Sequence, residues 1–163
     1  MLPASAARVL VRLRTEREFL AGPAISWSSM GTALEMIDLG TVLLLENEPL
    51  IALDIEAMLL SAGVAKVEHS VTCGDALRWL QTEKPDFAVL DLQLSDGSSA
   101  VVAEELAAHA VPFIVYSGHT RYSAVLPPIF VKAIWLSKPC TETELAHAVE
   151  EAVKAGLEID RDH

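Results

Sequence analysis

The stretch FAVLDLQLSDG, at residues 87–97, decides the fold of this chain. Its first four residues are apolar, as in a parallel strand that is buried on both faces. The apolar run ends on a carboxylate, Asp91, and a Ser-Asp-Gly turn follows four residues later. A helical pattern comes next. This order predicts a protein in which strands and helices alternate along the chain.

Four other apolar runs resemble this one and indicate further strands. The five predicted strands are TVLLLE, KVEHSV, FAVLD, FIVYS and AIWLS, at residues 41–46, 66–71, 87–91, 113–117 and 133–137.

Helical patterns separate these runs, at residues 49–63, 74–84, 97–110 and 141–156. Pro49 suits a helix start and Gly63 a helix stop, while Thr141 and Glu144 suit a capping box. Residues 119–132 carry Pro127-Pro128 and little helical periodicity, so the fourth helix should be short or irregular. Apolar residues at helical spacing in the first helix are Ile51, Ile55, Met58 and Leu59.

The predicted fold class is α/β, with a doubly wound, five-stranded parallel sheet covered by helices on both faces. At 163 residues the chain is long enough for one domain with additional residues at its termini. We expect an N-terminal extension at residues 1–39, the main domain at 40–157 and a short tail at 158–163. No output domain is expected after the last helix.

The extension has an Ala- and Arg-containing start, then Gly22-Pro23 and a Ser-rich stretch. It reads as an accessory or poorly ordered segment that is partly helical. Two alternatives stay open. The real start could lie downstream, at Met30 or Met36, or the segment could form an amphipathic contact helix.

The charge of the chain excludes some partners. The net charge is −11, and the four arginines of residues 1–39 cancel its four acids, so the excess lies from residue 40 onward. An acidic body argues against nucleic acid as a direct partner. No apolar run is long enough to cross a membrane. Cys73 and Cys140 lack the spacing of a disulfide framework or zinc site, which favours a cytoplasmic location.

In an open parallel sheet the site lies beyond the carboxyl ends of the strands. Acids, a hydroxyl and a lysine stand at these ends: Glu46-Asn47-Glu48, Asp91, Ser117 and Lys138. A carboxylate can attack a phosphoryl donor, and a lysine and a hydroxyl can bind phosphoryl oxygens. Oxygen ligands of this kind suit magnesium.

The motifs LLLENEP, FAVLDLQLSDG, FIVYSG and LSKP, in this order, resemble the receiver domain of bacterial response regulators over about residues 41–156. The resemblance implies a flavodoxin-like fold and a phosphoacceptor, Asp91. It implies Lys138 as the phosphate-sensing lysine and Ser117 and Trp135 as switch residues. It also implies a magnesium site formed by Glu46, the Asn47 position, Asp91 and the main-chain carbonyl of Gln93.

Two departures from the family pattern stand out. PFIVYSGH, from Pro112, resembles the Pro-Phe-x-x-Ala-Thr-Gly signature of a subgroup of stand-alone receivers, but Tyr116 and Ser117 replace Ala-Thr. Receivers also carry an aspartate where this chain has Asn47. A neutral ligand removes one unit of charge, so magnesium should bind weakly.

Three functions follow as hypotheses. The first is a single-domain response regulator that takes a phosphoryl group on Asp91 from a histidine kinase or a phosphotransfer protein. It would signal by protein contact to a downstream regulatory protein, as a monomer or weak homodimer. The second is a phosphorylation-independent pseudo-receiver, which Asn47 favours. The third, an aspartate-nucleophile phosphatase, is disfavoured because Gln93 stands where a second acid is needed, so we expect no enzyme in the ordinary sense.

The histidines do not suggest a metal site, because His69, His109, His119 and His147 lie on different elements without ligand spacing. His119, two residues after Ser117, could line the mouth of the site.

Overall fold

The computed structural model describes residues 39–118 and 125–161, with side chains up to residue 156. The predicted extension, apart from Leu39, lies outside the described residues. So do His119 and the last two residues of the predicted tail.

Five parallel strands form the main sheet, and each follows one of the predicted apolar runs. They are β1 (Thr41–Leu45), β2 (Lys66–Ser70), β3 (Phe87–Leu90), β6 (Phe113–Ser117) and β7 (Ile134–Ser137). Their order is β2-β1-β3-β6-β7, with every neighbouring pair parallel. This arrangement confirms the predicted doubly wound sheet, in which chain connections leave on both faces.

The helices cover the two faces of this sheet. They are α1 (Pro49–Ser61), α2 (Cys73–Leu80), α3 (Ala100–Ala108), α4 (Pro128–Val131) and α5 (Glu142–Arg161). One core lies under α1 and α5 and includes Ile55, Leu59 and Val149. The other lies under α2, α3 and α4 and includes Leu106 and Phe130. The central strand β3 is buried along its whole length, which explains its continuous apolar sequence.

The third helix starts later than the sequence predicts. Residues Gly97–Ser98 form strand β5, which pairs antiparallel with β4 (Gln93–Leu94), and the helix begins at Ala100. The Ser99 amide and hydroxyl both donate to the Leu92 carbonyl, at 3.0 and 3.2 Å. These bonds close the loop after β3 into a small hairpin, so a helix from residue 97 was a wrong prediction.

Two other helix boundaries also differ. Helix α2 begins at Cys73, because Thr72 caps it by accepting from the Asp75 amide at 3.1 Å. Helix α5 runs to Arg161, so most of the predicted tail at residues 158–163 is helical instead. The four-residue α4 confirms the prediction of a short fourth helix.

The predicted capping box is present at the start of α5. The Thr141 amide donates to Glu144 Oε2 at 2.8 Å, and the Glu144 amide donates to Thr141 Oγ1 at 3.2 Å. Hydrogen bonds from the amide and then the hydroxyl of Thr141 hold the pKa of Glu144 below its usual value. The box fixes the start of α5 directly after Lys138-Pro139-Cys140.

Replacing Thr141 by alanine should destabilise the domain by about 1 kcal/mol, because the Glu144 amide loses its partner. Urea unfolding, followed by circular dichroism, measures this change. The matched control is Glu142→Ala in the same turn, which should cost less than about 0.5 kcal/mol. Equal losses for the two variants would contradict a specific capping role.

Candidate functional site

The carboxyl ends of β1, β3 and β7 bring three charged residues together. Glu46 follows β1, Asp91 follows β3 and Lys138 follows β7. Main-chain bonds continue the sheet to these positions, because the Asp91 amide donates to the Leu45 carbonyl at 2.9 Å and the Lys138 amide to the Ser117 carbonyl at 3.1 Å. The sheet thus fixes the backbone on which each charge stands.

The Lys138 ammonium lies between the two carboxylates. Its Nζ is 3.0 Å from Asp91 Oδ2 and also donates to Glu46 Oε2. All three side chains are shielded from water, since Glu46 is 1% exposed and those of Lys138 and Asp91 are 13% and 14% exposed. Charge-assisted hydrogen bonds of this kind are stronger than neutral ones. The predicted acid and lysine positions therefore meet in one cluster, in which Glu46 is buried and Asp91 and Lys138 are partly buried.

Glu46 has other hydrogen-bond partners besides Lys138. Its Oε1 accepts from the Glu48 amide at 2.9 Å, so both carboxylate oxygens have partners. Its main-chain amide donates to the Ser70 carbonyl at 3.2 Å, and its carbonyl lies 2.7 Å from His69 Nε2. The contact of His69 with this backbone was not predicted. No spacing in the sequence indicates it, because β2 and β1 meet only in the folded sheet.

The protonation of Lys138 is set by opposing effects. Burial lowers its pKa, but the hydrogen bonds and charges of Glu46 and Asp91 outweigh burial, so the pKa is raised above its usual value. The ammonium also lies 5.3 Å from the centre of the Tyr116 ring, a cation–π distance. Because its own pKa is raised, Lys138 is a fixed cation at neutral pH. The pKa of Tyr116 is also raised, first by burial and then by the neighbouring Cys140 thiol.

The other predicted site residues lie around this cluster in different environments. Ser117 is buried at the end of β6, which lies between β3 and β7. Trp135 on β7 is partly buried against the second core, and its Nε1 donates to the Phe130 carbonyl at 3.2 Å. Asn47 is exposed and directly follows Glu46, and Gln93 is exposed two residues after Asp91.

Asp96, in the Ser-Asp-Gly turn, has a structural role that was not predicted from the sequence. Its carboxylate accepts from the amides of Cys73 and Gly74 at the start of α2, at 2.9 and 3.0 Å. These two bonds lower the pKa of Asp96. The Cys73 thiol lies 3.4 Å from the Ser98 carbonyl, and burial, then the Asp96 charge, raise its pKa to about 11. The loop after Asp91 is thus anchored to a neighbouring helix.

Comparison with known families matches residues 42–150 to the response regulator receiver domain. This chain belongs to that family. The match covers more than half of the 163 residues and includes the charged cluster and all seven strands except Thr41, the first residue of β1. The predicted receiver fold is therefore confirmed. No curated protein matches the chain.

Solved receiver structures are similar to this chain. SdrG from Sphingomonas melonis Fr1 is 32% identical with a TM-score of 0.59, over 73% of this chain and 99% of SdrG. The PhyR stress response regulator is 27% identical with a TM-score of 0.58, over 73% of this chain and 46% of PhyR. The receiver of the sensor histidine kinase PA1611 from Pseudomonas aeruginosa PAO1, with magnesium in its cleft, is 22% identical with a TM-score of 0.62, over 71% and 98%.

Two features are absent from the part of this receiver that the structure describes. Within residues 39–118 and 125–161, no helix is long and apolar enough to cross a bilayer. The same residues contain no group of three or more histidine, cysteine, aspartate or glutamate side chains that could hold a metal ion. Among these residues, only Glu46 and Asp91 form ion pairs with Lys138.

The donor atoms of the receiver site suit a hard cation, but their charge is low. Carboxylate, amide and main-chain oxygens of Glu46, Asn47, Asp91 and Gln93 are the types that magnesium prefers. Lys138 neutralises one of the two carboxylate charges, and Asn47 adds none. The residues therefore fit magnesium chemically, with less negative charge than a third acid would provide.

Replacing Lys138 by methionine should destabilise the receiver by about 3 kcal/mol at pH 7, because the buried Glu46 and the partly buried Asp91 lose their shared cation. Chemical unfolding of Lys138→Met, of Glu46→Gln and of the double variant gives the coupling energy between the two residues. The double variant should lose less stability than the two single variants lose together.

The pH dependence follows from the raised pKa of Lys138. Its contribution should be constant from neutral pH to near the ordinary lysine pKa of about 10.4, and should fall as the pH rises through the higher pKa of the folded state. Stability curves of the wild type and Lys138→Met should therefore converge in alkali. A constant difference up to and beyond that pH would contradict a stabilising ammonium.

Proposed function

We propose that this receiver accepts a phosphoryl group on Asp91 and transmits the signal by contact with another protein. The observation that carries the proposal is the cluster in which Lys138 Nζ lies 3.0 Å from Asp91 Oδ2. A lysine at this distance can remain beside the carboxylate and bind the phosphoryl oxygens that arrive on it. The donor would be a phosphohistidine of a histidine kinase or of a phosphotransfer protein.

The transfer is a displacement at phosphorus. A carboxylate oxygen of Asp91 attacks the phosphorus of the phosphohistidine, and the bond between phosphorus and the imidazole nitrogen breaks. That nitrogen keeps the electron pair and takes a proton from solvent. Lys138 stabilises the charge on the phosphoryl oxygens throughout. The product is an acyl phosphate on Asp91, and the reaction makes the protein a phosphorylated switch without making it an ordinary enzyme.

Magnesium would be held by Glu46, Asn47, Asp91 and the carbonyl of Gln93, and when bound it would neutralise part of the phosphoryl charge. The magnesium in the similar PA1611 receiver supports this choice of cation. Because Glu46 already binds Lys138 and the Glu48 amide, we expect the affinity of this site for magnesium to be low.

Phosphorylation would add a charge of roughly −1.5 to −2 beside Lys138. Ser117, at the end of the strand between Asp91 and Lys138, would donate its hydroxyl to a phosphoryl oxygen. We propose that Trp135 follows this movement through β7, which would change the surface near α4, where its indole contacts the Phe130 carbonyl. The similarity to the PhyR stress response regulator agrees with a regulatory output.

A second candidate is a receiver that binds its partner without phosphorylation. Asn47 favours it, as do the hydrogen bonds that already occupy both oxygens of Glu46. The two candidates differ in whether Asp91 ever carries phosphate.

Incubation with magnesium and either acetyl phosphate or a phosphorylated histidine kinase should add one phosphoryl group, detected by intact mass. Asp91→Asn is the control and should gain none, because it lacks the attacking carboxylate. Absence of phosphate with both donors would exclude the first candidate and leave the phosphorylation-independent one.

Replacing Asn47 by aspartate should raise the affinity for magnesium by about tenfold, because one formal negative charge is added beside Glu46. Isothermal titration calorimetry measures the affinity, and the rate of phosphorylation by acetyl phosphate should rise with it. Asn47→Ala serves as the matched control and should bind magnesium no better than the wild type. An unchanged affinity in Asn47→Asp would show that this position does not contact the cation.

A further inference from the structure

Helix α1 exposes an apolar stripe to solvent. Leu50, Leu53 and Leu60 are 82%, 61% and 46% exposed, and Ala57 between them is also exposed. Their spacing of three, four and three residues places them along one side of the helix. We call Leu50, Leu53, Ala57 and Leu60 the leucine stripe. Large leucines gathered on one exposed side of a helix indicate an interaction surface.

The stripe is not part of the core, because α1 buries its opposite side. Ala52, Ile55 and Leu59 face the first core and are 3% exposed or less. With a turn of about 100° per residue, Asp54 and Glu56 lie on either side of the stripe. Neither acid forms an ion pair with another residue in the part of the chain that the structure describes. The stripe is therefore apolar along its middle and acidic at its margins.

The chain enters the domain close to one end of this stripe. The Leu39 carbonyl accepts from the Ala65 amide at 3.0 Å, and Ala65 lies just beyond the end of α1. The 13 residues of α1 extend over about 20 Å, a distance that about six extended residues can span. Of the 38 residues that precede Leu39, the last 18, at 21–38, are therefore long enough to carry the earlier ones to any part of the stripe.

The early part of that segment has the complementary chemistry. Residues 8–20 read RVLVRLRTEREFL, with four arginines, two glutamates and six apolar residues. These residues hold the only cluster of arginines in the sequence. The residues from 40 onward carry a net charge of −11. Arginine stems also cover apolar surface while their heads reach nearby acids.

We propose that residues 8–20 bind the leucine stripe of α1 in the same chain. Apolar residues of the segment would cover Leu50, Leu53 and Leu60, and its arginines would pair with Asp54 and Glu56. The stripe starts two residues after Glu48, so a bound segment would lie beside the entrance to Asp91 and would compete with any protein that docks on α1. This inference stands whether or not Asp91 is phosphorylated.

Photo-cross-linking of the full chain tests the proposal. A benzoylphenylalanine in place of Leu53 should form a cross-link within one chain, and peptide mass spectrometry should place it in residues 8–20. The same photoreactive residue in place of Val101 is the matched control, because Val101 is a half-exposed apolar residue on α3. Circular dichroism confirms that each variant is folded.

Charge reversal tests the proposed pairing. Arg8→Glu combined with Arg12→Glu should lower the yield of the cross-link several-fold, and adding Asp54→Lys and Glu56→Lys should restore it. Lys84→Glu combined with Lys132→Glu makes the same change in charge at two exposed lysines and should leave the yield unchanged.

Three results would overturn the proposal. The first is a cross-link from position 53 to a second copy, which would make the stripe a dimer surface. The second is a cross-link that never reaches residues 8–20. The third is an equal yield from positions 53 and 101, since the segment would then have no preference for α1.

Discussion

The salt bridge of Lys138 with Glu46 and Asp91 is the interaction on which the candidate site depends. It joins the ends of β1, β3 and β7, which are 45 to 92 residues apart in sequence. Burying three charges is costly, and a well-packed apolar cluster would serve stability at least as well. We therefore interpret the cluster as a feature kept for its chemistry. It holds a carboxylate beside a fixed cation, ready for a further anionic group.

The two-sided sheet explains why this cluster can exist. Because β3 is buried along its length, only its carboxyl end can present a polar side chain to a partner. The loop that follows is held by Asp96 at the start of α2 and by the Ser99 bonds to Leu92. These contacts lie on the side of the sheet away from α1 and α5. The backbone after Asp91 is thus fixed independently of the helix that carries the leucine stripe.

Asn47 and the leucine stripe are two features of this receiver that bear on metal binding and on contact with partners. The neutral amide leaves the site with two acids and one lysine, so a phosphoryl group would meet less metal charge and would depend more on Lys138. The stripe begins at Leu50 in the first turn of α1, directly after the loop that carries Asn47.

The amino-acid sequence predicts the alternation of strands and helices, the capping box at Thr141 and the strand ends that carry Asp91 and Lys138, because local periodicity and end signals fix these features. It also brought Glu46, Asp91 and Lys138 to one edge, since parallel strands place their carboxyl ends together. Only the tertiary structure decided the rest. The β4–β5 hairpin is local, but its four residues have no strand pattern in the sequence. The contact of Asp96 with α2 and the bond of Glu46 to Lys138 depend on groups far apart in the chain. Their geometry is set by packing, which no local pattern records.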